Sequence, residues 1–346
     1  MRHRLGHYIL VNAMNYEKHL IAGVCGLGGA VAAVAGGLSV QYVIGRRRAE
    51  RAWAVGDRPR LEDVGSVERL TILPLVDWYT AGDDFVGEPG VSYLVRADDT
   101  TILFDLGFNV HGEHPSPLLR NMEALGIEFS DLDAIVISHP HVDHLGGLTY
   151  QVRRRFAPSA KPVDLGGVTT YVPSSLSNPT ADIIVSGEPR VIAPGVAVTG
   201  VIPRQLFLIG WSPEQSLAVN VKGKGIVIIV GCGHPTLQRI IERAEMLFEE
   251  PVYGVVGGLH YPVTSSRGEK LEAFGLRYFG TGKWPWDPVG KQEVRDAIAF
   301  LSRRDPGLVA LSPHDSCDWS VEAFHQAFRA AYQYILVGRD ITVTGA

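Results

Sequence analysis

Three cysteines in 346 residues (Cys25, Cys232 and Cys317) are too few and too scattered to form a disulfide framework. Free thiols fit a reducing compartment better than an oxidising one. Charge of one sign is also lacking. The chain has 32 Lys and Arg against 37 Asp and Glu, a formal net charge of -5, so it carries no electrostatic footprint for nucleic acid. Charged residues are 20% of the chain and hydrophobic ones 46%, which excludes the polar bias of a disordered segment and allows a large buried core. Beyond the N-terminal region there is no low-complexity tract, and no internal repeat is visible.

The N-terminal region is where charge disappears altogether. From Leu20 to Gly45 the sequence is LIAGVCGLGGAVAAVAGGLSVQYVIG, without one charged residue. As a helix this run reaches roughly 39 Å, more than the ~30 Å hydrocarbon core of a bilayer. A cleaved signal peptide is the rival, with Ala33-Val34-Ala35 as its cleavage site, but the apolar run continues for ten residues and then meets Arg46-Arg47-Arg48. Val24 before Cys25 does not suit a lipoprotein cleavage box. The expectation is an N-terminal segment 1–19, an uncleaved transmembrane anchor 20–45, a polar linker 46–66 and a catalytic domain 67–346. Arg46, Arg47, Arg48, Arg51, Arg58 and Arg60 outnumber Arg2, Arg4 and Lys18, so the positive-inside rule places a single-pass protein with its main domain in the cytoplasm.

From Val67 onward strands alternate with helices. Leu70–Val76, Val91–Arg96, Thr101–Asp105, Ala134–Ser138, Ser216–Val221, Gly225–Val230, Val252–Val256, Leu308–Ser312 and Tyr334–Val337 read as strands. Pro117–Leu125, a segment from about Leu145, Pro235–Glu249, Gly290–Arg303 and Val321–Ala331 read as helices. Apolar strands in both halves, each followed by helix, suggest an α/β protein with two sheets back to back and helices outside.

The chemistry concentrates after one buried strand. Ser138-His139-Pro140-His141-Val142-Asp143-His144-Leu145-Gly146-Gly147 presents three imidazoles and a carboxylate within six residues. His and carboxylate suit zinc and similar borderline metals. His139 and His141, two apart on extended backbone, face one side. Asp143 and His144 follow where the loop turns into helix, placed for a second metal. Clustering these groups without a cation has no evident gain.

That motif resembles the signature of the metallo-β-lactamase superfamily, and Asp105-Leu106-Gly107 is similar to its first motif, a buried Asp supporting the metal loop. Gly231-Cys232-Gly233-His234-Pro235, Gly257-Gly258-Leu259-His260 and Ser312-Pro313-His314 recur in order. With Thr199-Gly200-Val201-Ile202-Pro203-Arg204 and Glu214-Gln215-Ser216-Leu217, they resemble the branch of metal-dependent hydrolases related to dihydropterin-aminobenzene-ribofuranosyl-phosphate synthases. The resemblance runs from about Val67 to the C-terminus. It implies a four-layer αββα sandwich with His234 and His314 joining His139, His141, Asp143 and His144 around two divalent ions, zinc with manganese or iron as alternatives. Cys232 stands where many members carry a bridging Asp, and either bridges or packs. His260 is either a ligand or a catalytic donor facing substrate.

Two departures stand out. Asp315 follows the last His where the branch usually has Cys, and Tyr261–Pro288 is longer than the usual connection. This connection holds Trp284 and Trp286, which either cover a small-molecule substrate, anchor the insertion or dock on a membrane. Arg204 and Lys222 are candidate anion partners. The expected reaction is hydrolysis of an ester, lactone, amide or phosphodiester by a water whose pKa two metals lower from about 15.7 to about 7, with Asp143 orienting it. The alternative is a pterin-type transferase. The sequence leaves oligomeric state open.

Overall fold

The structure, a computed structural model, describes residues 34–54, 60–265, 277–278 and 280–346. A helix, α1, runs over residues 34–54. The chain then builds β1 (Arg69–Val76), β2 (Ser92–Ala97), β3 (Thr100–Phe104), α2 (Pro117–Ala124), β4 (Ala134–Val136), α3 (Leu148–Val152), β5 (Thr169–Val172) and β6 (Asp182–Val185). The second half holds β7 (Arg190–Ala193), β8 (Val196–Val198), β9 (Ile202–Leu206), β10 (Gly210–Glu214), β11 (Leu217–Val221) and β12 (Gly225–Val230). It closes with α4 (Leu237–Leu247), β13 (Val252–Gly257), α5 (Lys291–Ser302), β14 (Leu308–Leu311), α6 (Asp318–Phe328) and β15 (Ile341–Thr344).

One sheet has the order β15-β1-β2-β3-β4-β5-β6, the other β14-β13-β12-β11-β8-β7, and β9–β10 is a separate hairpin. β12 (GIVIIV) is buried at every residue, as an apolar β-branched run covered on both faces must be. Ile72, Val95, Phe104, Val219, Val227, Ile229 and Val343 pack the two sheets against each other. Leu118 and Met122 of α2 join Leu103 and Ile135 on the outer face of the first sheet. Ile240, Val294 and Phe324, from α4, α5 and α6, cover the second. Each fully buried side chain of this size contributes about 1.5–3 kcal/mol by leaving water. The layers are therefore helix, sheet, sheet, helix. α2 starts where Ser116 accepts the Leu119 N–H at 3.2 Å with Pro117 behind it.

β3, β4 and β5 run parallel, as do β12, β13 and β14. Their carboxyl ends therefore open at one edge, the usual place for a site in parallel sheets.

Three expectations change. Among the described residues no helix is long and apolar enough to cross a membrane, and residues 20–33 of the expected anchor lie outside them. The rest of that run belongs to α1, which continues through Arg46-Arg47-Arg48 to residue 54, where a polar linker was expected. The reason is a docking stripe: Tyr42, Gly45 and Ala49 are buried at i, i+3 and i+7 spacing, with Gln205 of β9 lying directly over Gly45. Tyr334–Val337 forms no strand beyond a bridge at Val337, and the last strand is Ile341–Thr344, paired antiparallel with β1.

Candidate metal centre

The loop after β4 is built around Asp105, which directly follows β3 with φ +63°. Asp residues tolerate this left-handed backbone better than most. The fully buried Asp105 carboxylate accepts the Ser138 N–H at 2.7 Å, the Ser138 hydroxyl at 2.6 Å and His144 Nδ1–H at 2.7 Å. Burial pushes its carboxyl up, while these three donors favour the anion. Ser138 Oγ in turn accepts His139 Nδ1–H at 2.9 Å. Gly146 has φ +85°, and a Cβ there would stand 1.8 Å from the Ala157 carbonyl oxygen, which explains one glycine of the motif.

The device recurs between the sheets. Asp77, immediately after β1, accepts the Ser312 hydroxyl at 2.6 Å and the Tyr93 hydroxyl at 2.7 Å. Ser312 Oγ takes His314 Nδ1–H at 2.6 Å. Both Nδ1 atoms are thus held by an Asp–Ser relay, which leaves Nε2 to face the centre. His234 Nδ1–H is held differently, by the Gly280 carbonyl at 2.9 Å, and its Nε2 lies 3.0 Å from His141 Nδ1.

Cys232 lies in the middle. Its Sγ is 3.1 Å from His144 Nε2, 3.3 Å from His314 Nε2 and 3.9 Å from Asp143 Oδ2. Asp143, His144, Cys232 and His314 offer ligand atoms all within 4.8 Å of one another, and so do His139, Cys232 and His234. A third group, Cys232, His260 and Asp315, adjoins them. His260 has φ +55°, its N–H donates to Asp315 at 2.9 Å, and its ring centroid is 4.7 Å from that of His234. His139 Nε2 is buried with no hydrogen-bond partner, an arrangement costly for a polar atom and suited to a metal ligand.

Burial holds the imidazoles of His139 and His234 well below the ordinary range and brings His141 down to about 4, so all three are neutral at pH 7. Burial works against ionising Asp143, but His144, His314 and His141 outweigh it and hold the carboxyl far below its usual range. Burial likewise opposes a charged His144, yet Asp143 and Asp105 raise it well above the usual imidazole. Burial, and then the nearby carboxylates, push the Cys232 thiol up.

Glu214, at the end of β10, is a supporting residue that sequence reasoning quoted but assigned no role. It accepts the N–H groups of Cys232 at 3.1 Å, Gly233 at 2.7 Å and His234 at 2.9 Å, while burial pushes its carboxyl up to about 7. Asp77 was missed outright; its only signal is an Asp directly after an apolar strand, the pattern that also ends at Asp105. In Glu214→Gln the amide NH₂ would face an N–H, so metal affinity is expected to fall about 10- to 100-fold. Competition with a chromophoric chelator measures it; unchanged affinity refutes the supporting role.

A cavity of about 270 Å³ adjoins His234 and His260, and Arg204, Tyr261, Thr281 and Lys283 also line it. Trp284 and Trp286 do not line this cavity. They stack on each other at 4.5 Å, and Trp284 meets Tyr42 of α1 edge-on, also at 4.5 Å. Lys222 pairs with Glu68 at the surface.

The family pattern of the metallo-beta-lactamase superfamily matches residues 86–314. The chain belongs to that superfamily. The match takes in the strands from β2 to β14, leaves out β1 and β15 of the first sheet, and ends on His314. A solved metallo-β-lactamase-fold structure, described as a metal-dependent hydrolase of the β-lactamase superfamily, superposes with a TM-score of 0.53 at 19% identity, over 80% of this chain and 99% of that one. Among curated relatives, the 7,8-dihydropterin-6-methyl-4-(beta-D-ribofuranosyl)-aminobenzene-5'-phosphate synthase of Methanocaldococcus jannaschii is 25% identical over 58% of this chain and 80% of its own length. An uncharacterised protein of the same organism is 27% identical over 52% of this chain and 76% of its own.

Proposed function

We propose that this metallo-β-lactamase-superfamily enzyme is a two-metal hydrolase of small molecules carrying an ester, lactone, amide or phosphodiester. The observation that supports it most directly is the orphaned, buried Nε2 of His139 among neutral imidazoles, with Asp143 and Cys232 beside them. His139, His141 and His234 would hold one divalent ion and Asp143, His144 and His314 the other, with zinc the first choice and manganese or iron the alternatives. Bound ions would supply Lewis acidity and a water of lowered pKa. The protein's own part is to orient and to accept protons. Asp143, ionised at neutral pH, accepts a hydrogen bond from the attacking water. His260 borders the cavity, where it faces a substrate oxygen, and Arg204 adds positive charge to the same wall. Elemental analysis of the purified protein, followed by a panel of ester, lactone and phosphodiester substrates, tests the reading; metal-free protein, or full turnover after chelation, would refute it.

Metal affinity is expected to rise with pH through the neutral range. His139, His141 and His234 have lowered pKa values and are already neutral there, so they contribute no pH dependence. His144 and the Cys232 thiol have raised values and must each release a proton on ligation. The rise of affinity with pH is therefore steeper if Cys232 ligates than if it stays a thiol. A flat profile would remove His144 from the ligand set.

A pterin-type transferase is the second reading, favoured by the similarity to the Methanocaldococcus jannaschii synthase. Absorbance beyond the protein band in the purified protein, from a retained pterin, separates the two. Placement at the cytoplasmic face of a membrane is a proposal from the uncharged residues 20–33, ahead of the docked part of the run, and from the arginines after it; fractionation with protease protection tests it.

A further inference from the structure

We propose that α1 is a strap that positions the metal centre, with Tyr42 as the positioning residue acting on the segment Gly280–Trp284. The inference rests on the two-metal reading above.

α1 lies outside the family match, which begins at residue 86. Its buried Tyr42 nevertheless reaches the backbone segment that borders the site. The Tyr42 side chain is fully buried, and its hydroxyl donates to the Gly282 carbonyl at 2.7 Å. Arg204 Nη2 reaches the same carbonyl at 3.4 Å. Two residues earlier, the Gly280 carbonyl fixes the tautomer and ring plane of His234 by accepting its Nδ1–H. Between and beside these carbonyls, Thr281 and Lys283 line the cavity. One short stretch of backbone is therefore held by the strap at one point, holds a candidate metal ligand at another, and walls the cavity.

The same helix also grips the other flank of His234. α4 starts three residues after it. There, Glu50 of α1 pairs with Arg239, and Arg239 and Arg243 both lie 5.3 Å from the ring centroid of Trp53. Phe207 and Trp284, with ring centroids 5.4 and 4.5 Å from Tyr42, form an apolar wall around it. A phenylalanine would fill this space as well as a tyrosine does. The hydroxyl is therefore there for its acceptor, since a buried O–H left unpaired is costly.

The test uses full-length protein, stripped of metal and titrated with Co²⁺. The equivalent that His234→Ala removes identifies the affected site. Tyr42→Phe is expected to weaken that equivalent about tenfold, the lower end for loss of outer-shell support, while the metal-free thermal midpoint moves by no more than about 2 °C. Arg204→Met, which removes the other donor to Gly282, is expected to weaken the same equivalent, and it carries the test if Tyr42→Phe folds poorly. Arg48→Leu, on the same helix but over Trp211 at 4.6 Å, is expected to leave it unchanged. Unchanged Co²⁺ affinity in folded Tyr42→Phe overturns the proposal. So does parallel loss of both equivalents with stability, which would make α1 purely structural. Wild-type protein that binds no Co²⁺ overturns the two-metal reading as well, so the two failures are distinguishable.

Discussion

Asp143→Ala is expected to lower kcat/KM by about 10³-fold or more, within the range for losing a positioned proton acceptor and with metal loss added. Asp143 is the one carboxylate in the group with His144, Cys232 and His314. It is also partly open to solvent, with its side chain 17% exposed, so water can reach it. Its removal takes away the negative charge that His144, His141 and His314 face. The centre then becomes an array of imidazoles and a thiol, to which a divalent cation binds more weakly. Asp143→Asn keeps the shape and loses the charge, so it separates electrostatics from packing. Both variants are expected to lose metal by elemental analysis while keeping a native circular dichroism spectrum. If metal content and turnover both survive in Asp143→Ala, the assignment fails.

Asp105→Ala is expected to act on stability rather than chemistry. It strands the Ser138 N–H, the Ser138 hydroxyl and the His144 Nδ1–H where no water reaches. Unpaired buried groups cost about 1–3 kcal/mol each, and breaking a buried ion pair about 3–5 kcal/mol. The costs are coupled, so a total of about 3–5 kcal/mol is the sound expectation. For a chain of this size that lowers the thermal midpoint by about 10 °C. Ser138 then loses its orientation, and His139 and His144 with it, so metal affinity falls too. A midpoint within about 2 °C of wild type in calorimetry would exclude the supporting role.

Much of this site could be read from sequence, because ligands on strand ends leave a local signature. The His139–His144 cluster follows an apolar strand within a few residues, and His234 and His314 each follow another. Asp105 was legible through its motif. Glu214 and Asp77 were not, since they act through backbone N–H groups and a serine hydroxyl, which impose no characteristic spacing. The uncharged run was plain, but where it stops being apolar surface and becomes a docking face was not. Tyr42, Gly45 and Ala49 form a helical stripe inside that run, and its partners, Gln205 and Trp284, lie more than a hundred residues away. For the same reason the destination of Trp284 and Trp286 is illegible in the sequence: nothing in the loop that carries them points to the N-terminal helix that Trp284 meets. The strand Ile341–Thr344 was missed because ITVT offers only two apolar residues, and its place is set by pairing with Arg69–Ile72 at the other end of the chain.

The candidate ligands divide between the two halves of the sandwich. His139, His141, Asp143 and His144 hang from the β4 edge, and Cys232, His234 and His314 from β12 and β14. The halves meet through an apolar seam, and at its rim through the Ser312–Asp77 and His234–His141 hydrogen bonds. An ion bound by arms from both halves would work as a further clasp on that rim. Loading the site would then fasten the halves to each other beside the cavity, and the geometry of the centre would become a property of the closed clasp rather than of either half alone.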